Sequence, residues 1–153
     1  MATEDTLTGI PNRRAWDERL TVEARRAIRS GEPLLVAMVD LDGLKWVNDT
    51  QGHAADDRLL RASAAGWSGA IRDTDFVARL GGDEFAVLLP NCTDVDAEVV
   101  IERMQRAMTE GQRFSVGVAS WDGAEPLPSL IARADQALYE DKARGRAGTP
   151  STR

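Results

Sequence analysis

Hydrophobic residues recur along this chain at two different spacings, which predict a mixture of helices and strands. Residues 11–29 carry apolar side chains at steps of four and end before a Ser-Gly pair, which predicts the first helix. Similar patterns predict helices over residues 54–67, 94–110 and 127–142. Short apolar runs predict strands over residues 34–39, 76–80, 85–89 and 114–119. The segment after Asp40, rich in acidic residues, Asn and Gly, is predicted to be a loop.

The same pattern predicts which side chains the helices turn toward the core. On the first helix these are Trp16, Leu20, Ala24 and Ile28. On the helix over 94–110, Asp94 is predicted to cap the N-terminus, with Val95 and Val99 on the apolar face. The strand over 34–39 is apolar at every position, which predicts burial on both of its faces.

The order of the elements indicates the fold class. It runs α, β, α, β-hairpin, α, β, α, without a repeat or a linker, and it contains the sequence β-α-β-β-α-β. This order predicts an α+β fold of the ferredoxin-like type, with a mostly antiparallel sheet and helices on one side. A length of 153 residues suits a single domain over 1–153. Because this fold hosts many activities, it does not by itself name one.

Composition narrows the classes of partner. No apolar run approaches the roughly 20 residues that a spanning helix needs, and no export signal is visible, so a cytoplasmic protein without a membrane partner is expected. Cys92 is the only cysteine, which excludes an internal disulfide. A net charge of −6 argues against DNA or RNA as a partner. A polyphosphate ligand would need a divalent cation and a few well-placed Lys or Arg residues.

Two glycines and two acids, Gly81, Gly82, Asp83 and Glu84, separate the strands over 76–80 and 85–89. A tight hairpin turn is predicted there, and glycine leaves space above the backbone for a bulky ligand. An ordinary exposed turn whose acids keep it soluble is the alternative.

Asp40 follows the first buried strand, and that strand neighbours the hairpin in a split βαβ sheet. Asp40 and Asp83 are therefore predicted to converge. Together with a backbone carbonyl such as that of Leu41, they offer the hard oxygen ligands that suit Mg²⁺. Acids at strand ends that only solubilise loops are the alternative.

Five segments resemble the successive motifs of the GGDEF domain family, the diguanylate cyclases. In order they are DTLTGIPNRR from Asp5, DLDGLKWVND from Asp40, Gly52-His53, RLGGDEF from Arg79 and ALYEDKARGR from Ala137. The resemblance covers residues 5–146. It implies a cyclase-like palm in which two GTP molecules, one on each domain of a transient homodimer, form cyclic di-GMP and release two pyrophosphates.

The resemblance also implies roles for individual residues. Metal ligands for Mg²⁺, with Mn²⁺ as a possible substitute, fall on Asp40, the carbonyl of Leu41 and Asp83. The implied catalytic residues are Asp83, Glu84 and Lys45. The implied substrate-binding residues are Asn48 and Asp57 for guanine, Lys142 and Arg146 for the γ-phosphate, and Gly81 and Gly82 in the turn.

Upstream of the hairpin, Arg72 and Asp75 stand as in family members whose Arg-x-x-Asp site binds the product and inhibits the enzyme. A surface ion pair is the alternative. One departure from the family pattern is Asp56, which stands where Gly usually precedes the guanine-reading Asp57. This extra carboxylate leads us to expect an effect on GTP affinity more than on the chemistry.

Three functions remain open from the sequence. An active, product-inhibited diguanylate cyclase is the leading interpretation. A non-catalytic GGDEF module that acts as a cyclic di-GMP or GTP receptor is the alternative, and a platform for dimerisation without a nucleotide role is the third. The chain begins just before the first motif, so a catalytic domain separated from its regulatory segments is expected.

Overall fold

A computed structural model describes residues 2–109 and 111–148, without the side chains at positions 44, 45 and 146–148. Nine elements follow one another in these residues. They are α1 (Arg13–Ser30), β1 (Leu34–Leu41), α2 (Leu44–Gln51), α3 (His53–Ala70), β2 (Phe76–Gly81), β3 (Glu84–Pro90), α4 (Asp94–Arg106), β4 (Phe114–Ser120) and α5 (Leu127–Gly148).

The four strands form one sheet in the order β2-β3-β1-β4, and every neighbouring pair is antiparallel. β1 lies in the centre, with Asp40 opposite Glu84 of β3 and opposite Ser115 of β4. Helices flank this sheet, so the predicted α+β fold with a mostly antiparallel sheet is confirmed. None of the helices in the described ranges is both long and apolar enough to cross a membrane.

The helices cover both faces of the sheet, so the prediction that they lie on one side is wrong. On one face, α1 and α5 pack against alternate residues of β1 such as Val36 and Met38. On the other face, α3 and α4 pack against Leu35, Ala37 and Val39. The reason is the apolar run over residues 34–39 of β1, which presents hydrophobic side chains to both faces and requires both to be covered.

The segment predicted as a loop after β1 contains the helix α2. This helix is only eight residues long and begins after Gly43, which has no side chain to cap it. A short helix without a cap or a long apolar stripe lacks the features by which helices are found in a sequence. The position of α2 against α3 supplies the packing that stabilises it.

Several predicted helix details also need correction. The first helix begins at Arg13 with Asn12 as its cap, so Pro11 lies outside it. The cap of α4 is Thr93 rather than Asp94, because the Thr93 hydroxyl accepts from the backbone of Asp96. The same helix ends at Arg106, and Glu110 lies outside the described residues. Three side chains predicted to face the core are exposed: Ile28, Val95 and Val99.

Candidate active site

Gly82 and Asp83 form the hairpin turn between β2 and β3. Gly82 has a φ of 51° and the preceding Gly81 a φ of 148°, values that residues with side chains rarely adopt. The pairing of the two strands also shifts between Arg79 and Gly81. The two glycines therefore shape the turn that presents Asp83, and a Cβ at either position would meet open space.

Arg79 holds this turn in place. Its Nε and Nη2 donate to the carbonyl oxygen of Gly82 at 3.0 and 2.8 Å, while Nη1 donates to the carboxylate of Asp5 at 3.1 and 3.2 Å. The same carboxylate accepts from the backbone and the hydroxyl of Thr8. The N-terminal segment is thus tied to the turn. The sequence assigns neither Asp5 nor Arg79 a role, because nothing in the linear order brings these positions together.

Asp40 and Asp83 meet at one end of the sheet. The backbone N–H of Leu41 donates to the carbonyl oxygen of Asp83 at 3.3 Å. Only 10% of the Asp40 side chain is exposed. Burial raises the pKa of Asp40 to about 6; the hydrogen bond from Lys142 opposes the rise, and the nearby carboxyl of Asp83 adds to it. The structure therefore brings together the two carboxylates that the sequence predicts to converge.

Lys142 provides a positive charge at this pair. Its Nζ donates to Oδ2 of Asp40. Burial alone would lower the pKa of this amine, but the hydrogen bond to Asp40 and the surrounding carboxylates raise the pKa of Lys142 above its usual value. The helix α5, which carries Lys142, is fixed at this point, because the carboxylate of Asp141 accepts from the backbone N–H of Val116 in β4 at 2.9 Å.

The oxygen atoms at this end of the sheet suit a hard divalent cation. Oδ1 of Asp40 is buried and has no hydrogen-bond partner, so it is available to coordinate an ion. Mg²⁺ is commonly held by one or two carboxylates completed by water and substrate phosphate. Within residues 2–109 and 111–148, no three His, Cys, Asp or Glu side chains cluster as a metal site of their own. A cation here would rest on Asp40, Asp83 and the carbonyl of Leu41, with further oxygens from a ligand.

The predicted guanine-binding residues lie on two adjacent helices. Asn48 is on α2, where its carbonyl accepts from the backbone of Gly52 at 2.9 Å, and the half-buried Asp57 is near the start of α3. Asp56, on α3, interacts electrostatically with Asp83 in the turn. Burial raises the pKa of Asp56, and the charges of Asp57 and Asp83 contribute to the rise. The side chains of Lys45 and Arg146, predicted to contact phosphate, lie outside the described residues.

Arg72 and Asp75 lie at the opposite end of β3, about 20 Å along the strand from the turn. Arg72 donates to both carboxylate oxygens of Asp75, at 2.6 to 3.0 Å, and to the carbonyl of Pro90 at 2.7 Å. The Asp75 side chain is fully buried, whereas 34% of the Arg72 side chain is exposed. Asp75 therefore orients Arg72, and the exposed part of the pair belongs to the arginine.

The sequence of this chain is similar to a known family profile and to several known proteins. The sequence profile described as "Diguanylate cyclase, GGDEF domain" matches residues 2–148. The diguanylate cyclase DgcP of Pseudomonas aeruginosa is 39% identical, over 95% of this chain and 23% of its own length. The response regulator PleD of Caulobacter vibrioides is 34% identical, over 95% of this chain and 35% of its own length. The cyclic di-GMP phosphodiesterase NbdA of Pseudomonas aeruginosa is 35% identical, over 95% of this chain and 20% of its own length. The chain thus spans about a fifth to a third of these relatives.

Solved structures of similar proteins share the fold of this chain. Diguanylate cyclase SiaD of Pseudomonas aeruginosa, in complex with its activator SiaC, superposes with a TM-score of 0.89 at 38% identity, covering 94% of this chain and 59% of SiaD. The GGDEF domain of DgcB from Caulobacter crescentus, in complex with c-di-GMP, gives a TM-score of 0.87 at 31% identity, covering 95% and 92%. A profile match over nearly the whole chain, on a matching fold, is decisive: the chain belongs to the diguanylate cyclase GGDEF-domain family.

Proposed function

We propose that this chain is a diguanylate cyclase domain that joins two GTP molecules into cyclic di-GMP and releases two pyrophosphates. The observation that carries the proposal is the meeting of Asp40 and Asp83, with one buried oxygen of Asp40 left without a partner. A buried carboxylate beside a second, half-buried one is unfavourable in isolation, and a divalent cation with a triphosphate would neutralise the pair. Membership of the family, and a relative named as a diguanylate cyclase, support the reaction class.

The reaction forms one bond and breaks one bond at each of two phosphorus atoms. The 3′-hydroxyl oxygen of one GTP attacks the α-phosphorus of the other, and the bond from that phosphorus to the β-phosphate oxygen breaks. Asp83 accepts the proton of the hydroxyl, and Glu84, beside the site, assists the metal. Asp40, the carbonyl of Leu41 and Asp83 would hold Mg²⁺, or Mn²⁺ in its place, which would supply positive charge at the reacting oxygens.

The remaining residues position the substrate. Lys142, Arg146 and Lys45 bind the phosphates, whose negative charge increases during transfer. Asp57 accepts hydrogen bonds from N1–H and the exocyclic amine of guanine, and Asn48 bonds to the same ring edge. Adenine has no N1–H, so it would leave Asp57 unpaired and bind poorly. Gly81 and Gly82 allow the triphosphate to approach the backbone of the turn.

One domain holds only one GTP, so the reaction requires two copies of the chain to face each other as a transient homodimer. The rate per mole of protein is therefore expected to rise with protein concentration. A rate per mole that stays constant from nanomolar to micromolar protein would contradict a transient dimer.

The direct test is incubation of the protein with GTP and Mg²⁺, followed by chromatographic detection of cyclic di-GMP. Product is expected from the wild type and from Asp17→Asn, which alters an exposed acid on α1. Asp83→Ala is expected to lower turnover by at least a hundredfold, because it removes both a metal ligand and the proton acceptor. Full turnover by this variant would refute the assigned role.

A second candidate function is a receptor that binds cyclic di-GMP at Arg72, and the same contact would inhibit an active cyclase. It is favoured by the preformed Arg72–Asp75 pair, which holds a partly exposed guanidinium in a fixed orientation for a phosphate or guanine edge. Calorimetry with cyclic di-GMP should show at least tenfold weaker binding for Arg72→Ala, and no change for Arg106→Ala, an exposed arginine on α4. Unchanged affinity in Arg72→Ala would eliminate this site.

The two functions can be separated with one variant. If Asp83→Ala makes no product but still binds cyclic di-GMP, the two sites are independent, and inhibition acts from a distance. A wild-type chain that binds cyclic di-GMP and makes none from GTP would establish the receptor and exclude the cyclase.

A further inference from the structure

Lys142 forms an ion pair with Asp40, one of the residues that would hold the cation of the proposed reaction. Lys142 donates through Nζ to Oδ2 of Asp40, while Oδ1 of the same carboxylate has no partner. The charges of Asp83 and Asp42 also act on this ammonium group. In the protein without ligands, Lys142 is therefore the counter-ion of the acidic pair.

Only the side chain of Lys142 is free to leave this position. The preceding residue, Asp141, is bonded to the backbone of β4, and Gly117 of the same strand lies against the backbone of α5. The helix itself is thus fixed close to the sheet. The Lys142 side chain is one-third exposed and has a flexible four-carbon stem, so its ammonium group can move between Asp40 and a nearby anion.

Lys142 and a divalent cation compete for the same carboxylate. Two positive charges a few ångströms apart on one carboxyl group repel each other, and the repulsion is large where burial reduces screening. A triphosphate entering the site offers Lys142 another partner. When the ammonium moves to the phosphate, Oδ2 joins Oδ1 as a free oxygen of Asp40.

We propose that Lys142 couples metal binding to nucleotide binding: it holds Asp40 in the empty site and releases it when nucleotide phosphate draws the ammonium away. This inference rests on the proposed function, because it takes the ligand of the site to be a nucleoside triphosphate. The coupling is reciprocal, so the metal strengthens nucleotide binding by the factor by which the nucleotide strengthens metal binding. The chain consequently resists loading with metal alone.

The test measures Mn²⁺ affinity by calorimetry or electron paramagnetic resonance, with and without a non-hydrolysable GTP analogue. Lys142→Met is expected to bind Mn²⁺ about tenfold more tightly than the wild type when no nucleotide is present. The factor by which the analogue strengthens Mn²⁺ binding should fall by about tenfold in the same variant. Lys142→Arg keeps the positive charge, so its free-chain Mn²⁺ affinity should not rise.

Two further variants complete the experiment. Arg144→Met removes an exposed charge two residues away on α5 and should change neither quantity. Asp40→Asn should abolish the Mn²⁺ binding of Lys142→Met, which establishes that the ion is at this site. Mn²⁺ affinity in Lys142→Met that is equal to or weaker than that of the wild type, in the absence of nucleotide, would overturn the proposal.

The outcome is independent of the cyclase assay. A chain that makes cyclic di-GMP, and in which Lys142→Met gains no Mn²⁺ affinity, keeps its proposed function and loses the coupling. A chain that makes no product, but in which the gain is present, loses the proposed function and keeps the competition between Lys142 and metal.

Discussion

At the scale of single residues, Arg79 joins two separate segments at the site, although the sequence assigns it no role. Its guanidinium bonds the carbonyl of Gly82 and the carboxylate of Asp5 at once, and both charged side chains are largely buried, at 14% and 17% exposure. The planar fork of arginine makes this possible, and lysine could not reproduce it. Arg79 is therefore a positioning residue, since it holds the backbone on which Asp83 stands.

Arg79→Met should release the turn and lower the turnover of GTP by about tenfold or more, because even a small displacement of catalytic groups is costly. Arg61→Met is the matched control. Arg61 also ties the N-terminal segment, because its Nε donates to the carbonyl of Leu7 on that segment rather than to the turn. We expect Arg61→Met to keep near-normal turnover. Equal losses in the two variants would mean that the N-terminal segment, rather than the turn, explains the effect.

Asp56 places an additional negative charge beside the predicted guanine reader. One of its oxygens is buried without a partner, and burial with Asp57 and Asp83 nearby raises the pKa of this carboxyl. Asp56→Asn should therefore lower the KM for GTP severalfold, with little change in kcat, because less negative charge faces the incoming triphosphate. Asp17→Asn changes net charge equally on α1 and should leave KM unaltered. A KM that rises in Asp56→Asn would indicate that Asp56 binds the substrate directly.

At the scale of elements, the site depends on how closely α5 approaches the sheet. A Cβ at Gly117 of β4 would lie 2.1 Å from the backbone nitrogen of Leu138 and 2.2 Å from the carbonyl oxygen of Ala134. Any side chain at position 117 must therefore push the helix outward. Because Lys142 lies one turn beyond Leu138, the same displacement would move its ammonium group away from Asp40.

Gly117→Ala should lower the free energy of unfolding by about 1–3 kcal/mol or more, since overpacking against the backbone cannot be relieved by a rotamer change. Gly69→Ala is the control, because a Cβ on this α3 glycine meets open space. In the last turn of the helix that change should be neutral or stabilising by up to about 1 kcal/mol. Both are measured by chemical denaturation. Unchanged stability in Gly117→Ala would mean that α5 is not held this closely.

At the scale of the whole molecule, the acidic pair Asp40 and Asp83 is expected to lower the free energy of unfolding. Its negative charges suit metal binding rather than folding. The pKa of Asp40 is raised to about 6, from 3.8 for an ordinary aspartate, chiefly by burial. The folded chain therefore holds this proton more tightly than the unfolded chain. Ionisation of Asp40 then weakens folding progressively as the pH rises from about 4 to about 6, and the loss remains at higher pH.

Asp40→Asn removes that charge and should stabilise the protein by the order of 1 kcal/mol at pH 7.5, or about 2–4 °C in Tm. Near pH 4, where the wild-type carboxyl is largely protonated, the difference should vanish. Thermal melts in the presence of EDTA measure both values, with Asp17→Asn as the control. A variant that melts below the wild type at pH 7.5 would show that the Lys142 contact outweighs the burial of the charge.

The sequence by itself determined the type and order of most elements, because long apolar faces and fully apolar strands are local patterns. It also identified the turn at Gly81 and Gly82, the acids Asp40 and Asp83, and the family. It missed α2, whose eight residues carry no cap and depend on packing against α3, and it placed the helices on one side although β1 is apolar on both.

Only the tertiary structure decided which distant residues meet. The bonds from Arg79 to Asp5, from Lys142 to Asp40, and from Val116 to Asp141 join segments separated by 74, 102 and 25 positions. Polar residues at these positions look the same in a sequence whether they face solvent or each other. Burial against the folded sheet is what pairs them, raises the pKa of Asp40, and leaves one of its oxygens available for an ion.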